Sequence, residues 1–596
     1  VEKAKESLYK GYLGDSMDKT IQNKAKQWAE NPYFDDADRK EIQNLIDSKN
    51  EVELSERFYK DLEFGTAGLR SIMGIGSNRM NKYNVRKATQ AMVNTVNKHN
   101  LPKKICVSYD SRNNSKFFAE QTCGVLVANG FEAFIYDELT PVPMLSFATR
   151  YHKASAGIMI TASHNPIEYN GFKAFWSDGA QITPPYDKEI IGEYQSLNDW
   201  NDIQFKEFDS KKVHYNKPEV KVAYFNAIKE VIIQKDLIRS KGEELNIVFT
   251  PIHGTGLKPC RELATELGFT NFNVVEKQAQ PDGDFPTVES PNPEYPAALK
   301  LAVEQMQSSN ADIVMGTDPD TDRLGVAVLH KEKVHYLTGN ELASLFVYYL
   351  ATQKKERNQL GENPLLLKSI VTSDLQSALA EDLGIELVNT LTGFKWMAKE
   401  LKEREEKNIA FDFLFANEES FGFMGHKEVR DKDGVCAVMQ MSEIALHYKV
   451  QGKTVIDALN EIYERYGLYY DTVMSLNYYG REGADKIKRI MNSLRNRDIK
   501  EALGQKLIHV SDFQTLKEYN LSEKTEKSFE FEKSNLLSFT YDKGVKFLAR
   551  PSGTEPKVKF YFMIQKHEGS LEQRKEDAAK TTEEWQNYIK EFCERT

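Results

Sequence analysis

Apolar positions follow two patterns along this chain. Up to about residue 60 they fall at helical spacing: Ile21, Ala25 and Trp28 stand at i, i+4 and i+7, on one helix face. Val52, Leu54 and Phe58 predict a further short helix before the texture changes at FGTAGLR. This segment is expected to be an N-terminal helical cap on the first domain. From residue 100 a second unit recurs, an apolar or β-branched run that stops at a loop of Gly, Asp, Ser or Pro. It appears as ICVSYDSR (105–112), AGIMITASHNP (156–166), NIVFTPIHGTG (246–256), ADIVMGTDPDTDR (311–323), FDFLFANEES (411–420) and VKFLARPSGTEP (545–556). Helical stretches separate these runs. One opens at Thr338-Gly339-Asn340-Glu341 with capping-box spacing, and another, VIDALNEIYERYG, stops at Gly467. Strands alternating with helices predict α/β domains, whose ligand loops lie beyond the carboxyl ends of strands. The last hundred residues differ. There KVKFYFMIQ puts Val558, Phe560 and Phe562 on one face of an antiparallel strand, and a charged helix follows. That end predicts a separate α+β domain.

The length of 596 residues leaves room for about three to six domains. With 32 Phe and 28 Tyr, the chain can build several cores. A net charge of −10 and no long basic block exclude a protein that coats nucleic acid, while small anions remain admissible. The five cysteines show no CxxC spacing, which argues against a disulfide framework or a structural zinc. Leu342–Ala351 is about half the length needed to cross a bilayer. The opening VEKAKESLYKGYLG contains no apolar signal-peptide core and no initiator Met, so processed or trimmed cytosolic material is expected.

Asp318, Asp320 and Asp322 alternate in one loop straight after the run DIVMG. Three oxygen donors that would repel one another suit a hard cation such as Mg²⁺. An EF-hand is excluded because Arg323 and Leu329 stand where that loop needs Gly and Glu. A solvated acidic turn is the plainer alternative, and the position after a buried strand beside an arginine favours the metal. In TASHNP the Asn-Pro pair favours a turn, so Ser163 is expected to be exposed at a strand's end. The flanking Ala162 and His164 do not make a G-x-S-x-G elbow. The loop Arg550-Pro-Ser552-Gly553-Thr554 could cradle a phosphate or be an ordinary β-turn. NEESFG could hold sugar hydroxyls or be a solvated loop. There is no GxxxxGK[ST], and no GxGxxG between a strand and a helix. HGTG at 253–256 reads as a turn.

Taken together and in order, TASHNP, GTDPDTDR, NEESFG and RPSGTEP resemble the phosphoserine, metal, sugar-binding and phosphate-binding loops of the α-D-phosphohexomutase superfamily, in its phosphoglucomutase branch. FGTAGLR (64–70), PDGDFPTVESPNPE (281–294), LTGFKW (391–396) and KDG (432–434) support the match, which runs from about residue 60 to 560. The resemblance implies four domains around a central cleft, three α/β and one C-terminal α+β. Their expected limits are 1–208, 209–335, 336–452 and 453–596. It implies Ser163 as the phosphorylated nucleophile, with Asp318, Asp320, Asp322 and a phosphoserine oxygen holding one Mg²⁺. Arg70, His164, Lys173 and Arg323 would act near the reacting groups, together with Thr66, Thr392 and Lys432. Glu418 and Ser420 would hold sugar hydroxyls. Arg550, Ser552, Gly553 and Thr554 would grip the non-reacting phosphate, extended by Lys557 or Lys559. The implied activity interconverts glucose 1-phosphate and glucose 6-phosphate with glucose 1,6-bisphosphate as activator. Its partner is a small phosphosugar, not nucleic acid or membrane. Phosphopentomutase and phosphomannomutase are the close alternatives, and a catalytically silent metal-binding paralogue is the alternative of another class.

Overall fold

The computed structural model describes residues 19–65, 68–478, 480–552 and 557–596. They form two compact units, one of residues up to 232, 246–327 and 426–439, the other of residues 233–245, 328–425 and 440–596.

The first unit opens with the helices Lys19–Glu30, Asp36–Asp47 and Glu51–Phe58. Ile21, Ala25 and Trp28 are buried as the spacing predicts, in one cluster with Phe34, Leu54, Phe58 and Tyr83. Tyr83 belongs to the helix Lys82–Lys98 of the following domain, and its hydroxyl donates to Asp38 Oδ2 at 2.6 Å. That contact seats the helical cap on the domain. Val52 lies in the predicted short helix but off its buried face. It is exposed, because a helix of eight residues presents only Leu54 and Phe58 to the core.

The domain's sheet contains β1 (Gly68–Ile72), β2 (Lys104–Tyr109), β3 (Glu132–Ile135), β4 (Ala156–Ile160), β5 (Tyr169–Trp176) and β6 (His214–Tyr215), in the order β1-β5-β4-β2-β3-β6. β2 runs parallel to β3 and β4, whereas β5 is antiparallel to β4 and β1. The strands β2 and β4 are buried almost throughout, as parallel strands between helices must be. A second, five-stranded sheet holds β7 (Ile247–Thr250), β8 (Phe272–Val274), β9 (Ile313–Thr317), β10 (Leu324–His330) and β11 (Lys333–Leu337), in the order β11-β10-β9-β7-β8. β10 carries the chain into the second unit, where β11 follows it. A domain limit at 335 would cut β11.

In the second unit β12 (Pro364–Ser369), β13 (Glu386–Thr390), β14 (Asp412–Glu418) and β15 (Gly422–Met424) form a sheet in the order β13-β12-β14-β15. The capping box at Thr338 and Glu341 is present and opens the helix Gly339–Glu356. The helix Val455–Tyr466 ends at Gly467. The C-terminal sheet contains β16 (Leu468–Asn477), β17 (Glu501–Ala502), β18 (Gln505–Asp512), β19 (Lys517–Asn520), β20 (Thr525–Ser528), β21 (Leu537–Tyr541), β22 (Val545–Pro551) and β23 (Lys557–Lys566). Its order is β16-β23-β22-β21-β18-β19-β20, with β17 beside β18. β23 is antiparallel as expected, but its alternation stops halfway, since Phe560 to Ile564 are all buried. Trp585 of the helix Leu571–Arg595 packs on Tyr541 and Phe547 of the sheet. Tyr561 and Met563 join a separate cluster with Val371, Phe513, Leu536 and Leu548, so this part of the strand meets apolar neighbours on both sides.

Candidate active site

Ser163 lies three residues beyond the end of β4, with φ 51°. The expectation that it would be exposed is corrected: it is 3% exposed. Its Oγ donates to Asp318 Oδ2 at 2.8 Å and lies 3.2 Å from His164 Nδ1. An Asn-Pro turn reports only local backbone shape. The side chain is covered by a carboxylate 155 positions away.

The left-handed backbone at Ser163 is over-determined. Its N–H donates to Thr161 Oγ1 at 2.8 Å, and Thr161 Oγ1 donates to Asp110 Oδ2 at 2.6 Å. Arg112 completes the hold. Its Nη2 donates to the Ser163 carbonyl at 2.7 Å and to the Asn165 carbonyl, and its Nη1 to the carbonyls of Pro166 at 2.9 Å and Tyr169 at 3.1 Å. One buried guanidinium thus ties four carbonyls of the serine loop. Asp110 Oδ1 accepts from Arg112 N and Ser115 Oγ. Neither Asp110 nor Arg112 was singled out as a site residue from the sequence. The signal was there: Asp110-Ser111-Arg112 ends one of the six recurring strand runs.

Asp318, Asp320 and Asp322 follow β9 and are all buried, with ligand oxygens within 4.8 Å of one another. Asp318 Oδ1 accepts from the N–H groups of Asp322 and Arg323, each at 3.0 Å, and so closes the loop on itself. Thr321 sits at φ 55°, which a β-branched residue adopts only under constraint. The constraint is the turn read from HGTG: Thr255 Oγ1 is 2.7 Å from Thr321 Oγ1, and Thr255 donates from N and Oγ1 to the Pro319 carbonyl, each at 2.9 Å. A Cβ on Gly254 would stand 2.4 Å from Pro319 Cα, so only glycine permits this approach. The turn is therefore a buttress for the acidic loop.

Two lysines neutralise much of the acidic charge. Lys173 Nζ donates to Asp320 Oδ2 at 2.7 Å and Asp322 Oδ2 at 3.0 Å, and Lys432 Nζ lies 3.1 Å from Asp322 Oδ2. Gly434 lets the Lys432 segment approach, its N–H donating to the Thr321 carbonyl at 3.0 Å, where a Cβ would meet that oxygen at 2.7 Å. Burial alone would lower the Lys173 ammonium, but the Asp320 and Asp322 charges outweigh it and raise it above its usual range. Burial would likewise raise Asp322, and Lys173 and Lys432 hold it well below the carboxylate range instead. Among the described residues no lysine or arginine forms an ion pair with Asp318. Burial and the neighbouring charges of Asp322 and Asp320 push it well upward. The His164 imidazole is pushed well down by burial and then by Arg323 and Arg70, which keeps it neutral. Asp320 Oδ1 and Asp322 Oδ1 are buried without a hydrogen bond. Oxygens left free beside a third carboxylate are the donor set of a hard divalent cation, so these residues could hold one.

Arg70 is exposed on β1 and donates to Asn165 Oδ1 at 3.0 Å. Arg323 pairs with Glu294 of the 281–294 segment, a partner the sequence did not suggest. The first unit thus brings together Ser163, His164, Lys173, Arg70, Arg323, Lys432 and the three aspartates.

The second unit gathers a different set. Glu418, at the end of β14, is buried, and its carboxylate accepts from Gly393 N, which ties the NEESFG loop to the Thr392 loop. Ser420 is half-buried, and Phe421 turns the chain at φ 62°. Arg550, the last residue but one of β22, stands beside Tyr561, to which its side chain hydrogen-bonds. Ser552 donates from its N–H to the Lys557 carbonyl at 2.8 Å. Thr66, Gly553 and Thr554 lie outside the described residues. Lys557 and Lys559 are half-buried on β23. Among the described residues no helix is long and apolar enough to cross a membrane.

Residues 61–199, 222–331 and 338–466 match the alpha/beta/alpha domains I, II and III of phosphoglucomutase/phosphomannomutase. A phosphoglucomutase of Staphylococcus aureus (strain MRSA252) is 35% identical over 527 residues, 88% of this chain and 93% of that protein. Among solved structures, the open form of the Paramecium exocytosis-sensitive phosphoprotein pp63/parafusin, a phosphoglucomutase, has a TM-score of 0.66 at 19% identity, covering 88% of this chain and 94% of that one. A phosphoglucomutase/phosphomannomutase family protein of Burkholderia thailandensis has a TM-score of 0.60 at 17% identity, with 88% and 96% covered. These two structures share the fold. The matched domains and the relative at 35% identity place the chain in the phosphoglucomutase/phosphomannomutase family, among the α-D-phosphohexomutases.

Proposed function

We propose that the chain is a phosphoglucomutase that interconverts glucose 1-phosphate and glucose 6-phosphate through a phosphoserine at Ser163. The observation that carries this reading is the Ser163 Oγ, 2.8 Å from Asp318 Oδ2 in the buried group of three aspartates. Asp318, Asp320 and Asp322 would hold one Mg²⁺, which when bound offsets charge on a transferring phosphoryl group.

Phosphoserine 163 gives its phosphoryl group to a free sugar hydroxyl. The Ser163 O–P bond breaks as the sugar O–P bond forms, and the hydroxyl proton leaves to a base. The resulting glucose 1,6-bisphosphate reorients, and its other phosphoryl group returns to Ser163. In that half-reaction Ser163 Oγ loses its proton, and Asp318 Oδ2 at 2.8 Å and neutral His164 Nδ1 at 3.2 Å are acceptors within reach. Lys173, held protonated by two carboxylates, supplies fixed positive charge rather than a base. Arg70, Arg323 and Lys432 add cationic charge near the reacting groups. Glu418 and Ser420 hold sugar hydroxyls, with Thr392 beside them. Arg550, Ser552, Gly553 and Thr554 hold the non-reacting phosphate. Thr66 belongs with the Arg70 segment. The domain limits proposed with this reading are 215 (after β6), 337 (after β11) and 452. Glucose 1,6-bisphosphate is the activator, because Ser163 must enter the cycle phosphorylated.

The test is a coupled assay of the purified protein with Mg²⁺ and glucose 1,6-bisphosphate on glucose, mannose and ribose 1-phosphates side by side. The reading expects glucose 1-phosphate to turn over fastest. Equal or faster turnover of ribose 1-phosphate would instead make the protein a phosphopentomutase.

A further inference from the structure

The segment after β12, Ser369–Asp374, grips two other parts of the second unit at once. Toward the NEESFG loop, Ser369 Oγ donates to Glu419 Oε2 at 3.1 Å, and Glu419 N–H donates to Thr372 Oγ1 at 3.2 Å. Ser369 and Thr372 are themselves joined through their hydroxyls at 2.7 Å. Toward β22, Lys546 Nζ donates to Asp374 Oδ2 at 2.8 Å, while Val371 shares an apolar cluster with Leu548 and Tyr561. Lys546 and Leu548 lie on the strand that ends in Arg550 and Pro551. Tyr561, opposite Leu548 in the sheet register, hydrogen-bonds the Arg550 side chain.

Lys368 Nζ locks the segment from beneath. It donates to the Thr372 carbonyl at 3.0 Å and lies 3.8 Å from Asp374 Oδ1. Lys368 is 1% exposed, and of the carboxylates that act on it, Asp374, Asp471 and Glu419, Asp374 acts most strongly. Burial would raise the Asp374 carboxyl, but the charges of Lys546 and Lys368 more than offset that and hold it below its usual range. Removing the Asp374 charge would leave the two lysines sharing only the buried Asp471 carboxyl, which burial raises to about 7, so that they repel each other across the joint between the segment and β22.

We propose that Ser369–Asp374 is a positioning bridge, with Asp374 as its pin, that fixes the spacing between the sugar-hydroxyl loop at Glu418–Ser420 and the phosphate loop at Arg550–Ser552. The proposal rests on the functional reading given above for those two loops. A substrate whose hydroxyls and remote phosphate are held by two separate loops binds well only when their separation matches its length. Asp374 therefore acts through Arg550 and Ser552, and it sets affinity for the phosphosugar rather than the phosphoryl-transfer step.

The test compares wild type with Asp374→Asn and Asp374→Glu in the full chain. Asp374→Asn is expected to raise KM for glucose 1-phosphate about tenfold and to leave kcat within about twofold. Asp374→Glu, which keeps the charge, should recover most of that loss. In the Arg550→Ala background, Asp374→Asn should add little, because its effect runs through the same loop. An unchanged KM, or a kcat that falls in step with the melting temperature at unchanged KM, overturns the bridge. Amide exchange supplies a readout free of catalysis: Asp374→Asn should speed exchange in 416–420 and in 546–551 together, and no change in either overturns the bridge. If wild type itself turns over no phosphosugar, the functional reading fails, and the exchange result alone decides the bridge.

Discussion

Lys173 in the first unit and Lys368 in the second are both buried lysines on strands, and their environments move them in opposite directions. Burial lowers each. Around Lys173 two carboxylates at 2.7 and 3.0 Å more than compensate. Around Lys368 the close partner is a carbonyl at 3.0 Å, and the Asp374 carboxylate lies 3.8 Å away in an ion pair it shares with Lys546. Burial wins there, and Lys368 falls to about 8. The number and distance of counterions, rather than depth, decide the sign. Permanent positive charge suits a place where phosphate charge develops. A lysine near neutrality suits a joint that only has to hold loops in place.

The largest expected effect comes from breaking the Lys173 side. Asp322→Asn removes a charge shared by Lys173 and Lys432 and one oxygen of the candidate cation site. Turnover should fall on the order of a thousandfold, with weaker Mg²⁺ binding in a direct titration. A loss below about tenfold would remove the acidic loop from the reaction.

Arg112→Lys should come next. Lysine offers a point charge where the guanidinium fork reaches four carbonyls. The serine loop should loosen, and kcat should fall on the order of a hundredfold while Mg²⁺ affinity holds. Steady-state kinetics and the same titration separate the two. Equal losses in both would show that Arg112 supports the aspartates rather than the serine.

The smallest effect sharpens the contrast between the lysines through pH. The folded chain gives up the Lys368 proton near pH 8, whereas the unfolded chain keeps it up to the ordinary value of 10.5. Over that window the unfolded state binds more protons, so this group makes stability rise with pH. Lys173, raised in the fold, behaves oppositely. Its contribution is complete below 10.5 and is lost only as pH climbs through its higher folded value. Lys368→Met removes the first contribution alone. The stability difference between wild type and this variant should shift by up to about 3 kcal/mol in favour of wild type between pH 8 and 10.5. Denaturant unfolding of both proteins at the two pH values measures it, and a constant difference would contradict the burial account.

Much of the candidate site was legible in the sequence because its pattern is local. Three aspartates in one loop, a serine before Asn-Pro and strands that stop at polar turns carry their meaning within a dozen residues. The helix caps at Thr338 and Gly467 were legible for the same reason. What stayed hidden depends on partners far apart in the chain. The burial of Ser163 comes from Asp318, the hold on Glu294 from Arg323, and the Asp374 pin from Lys546, 172 positions away. Arg112 lay between these cases. Its strand end was visible, but the four carbonyls it ties exist only once β4 and β5 pair. The burial of Tyr561 and Met563 was illegible because their cover comes from β12's following loop and from residues 513–536.

The central claim is that Ser163 carries the phosphoryl group. Its most direct test is intact-mass measurement of wild type and Ser163→Ala after incubation with glucose 1,6-bisphosphate and Mg²⁺, with turnover assayed on the same samples. The account predicts one added phosphoryl group on wild type, mapped to Ser163, and none on the variant, which should be inactive yet still bind Mg²⁺. Undiminished turnover by Ser163→Ala would contradict it.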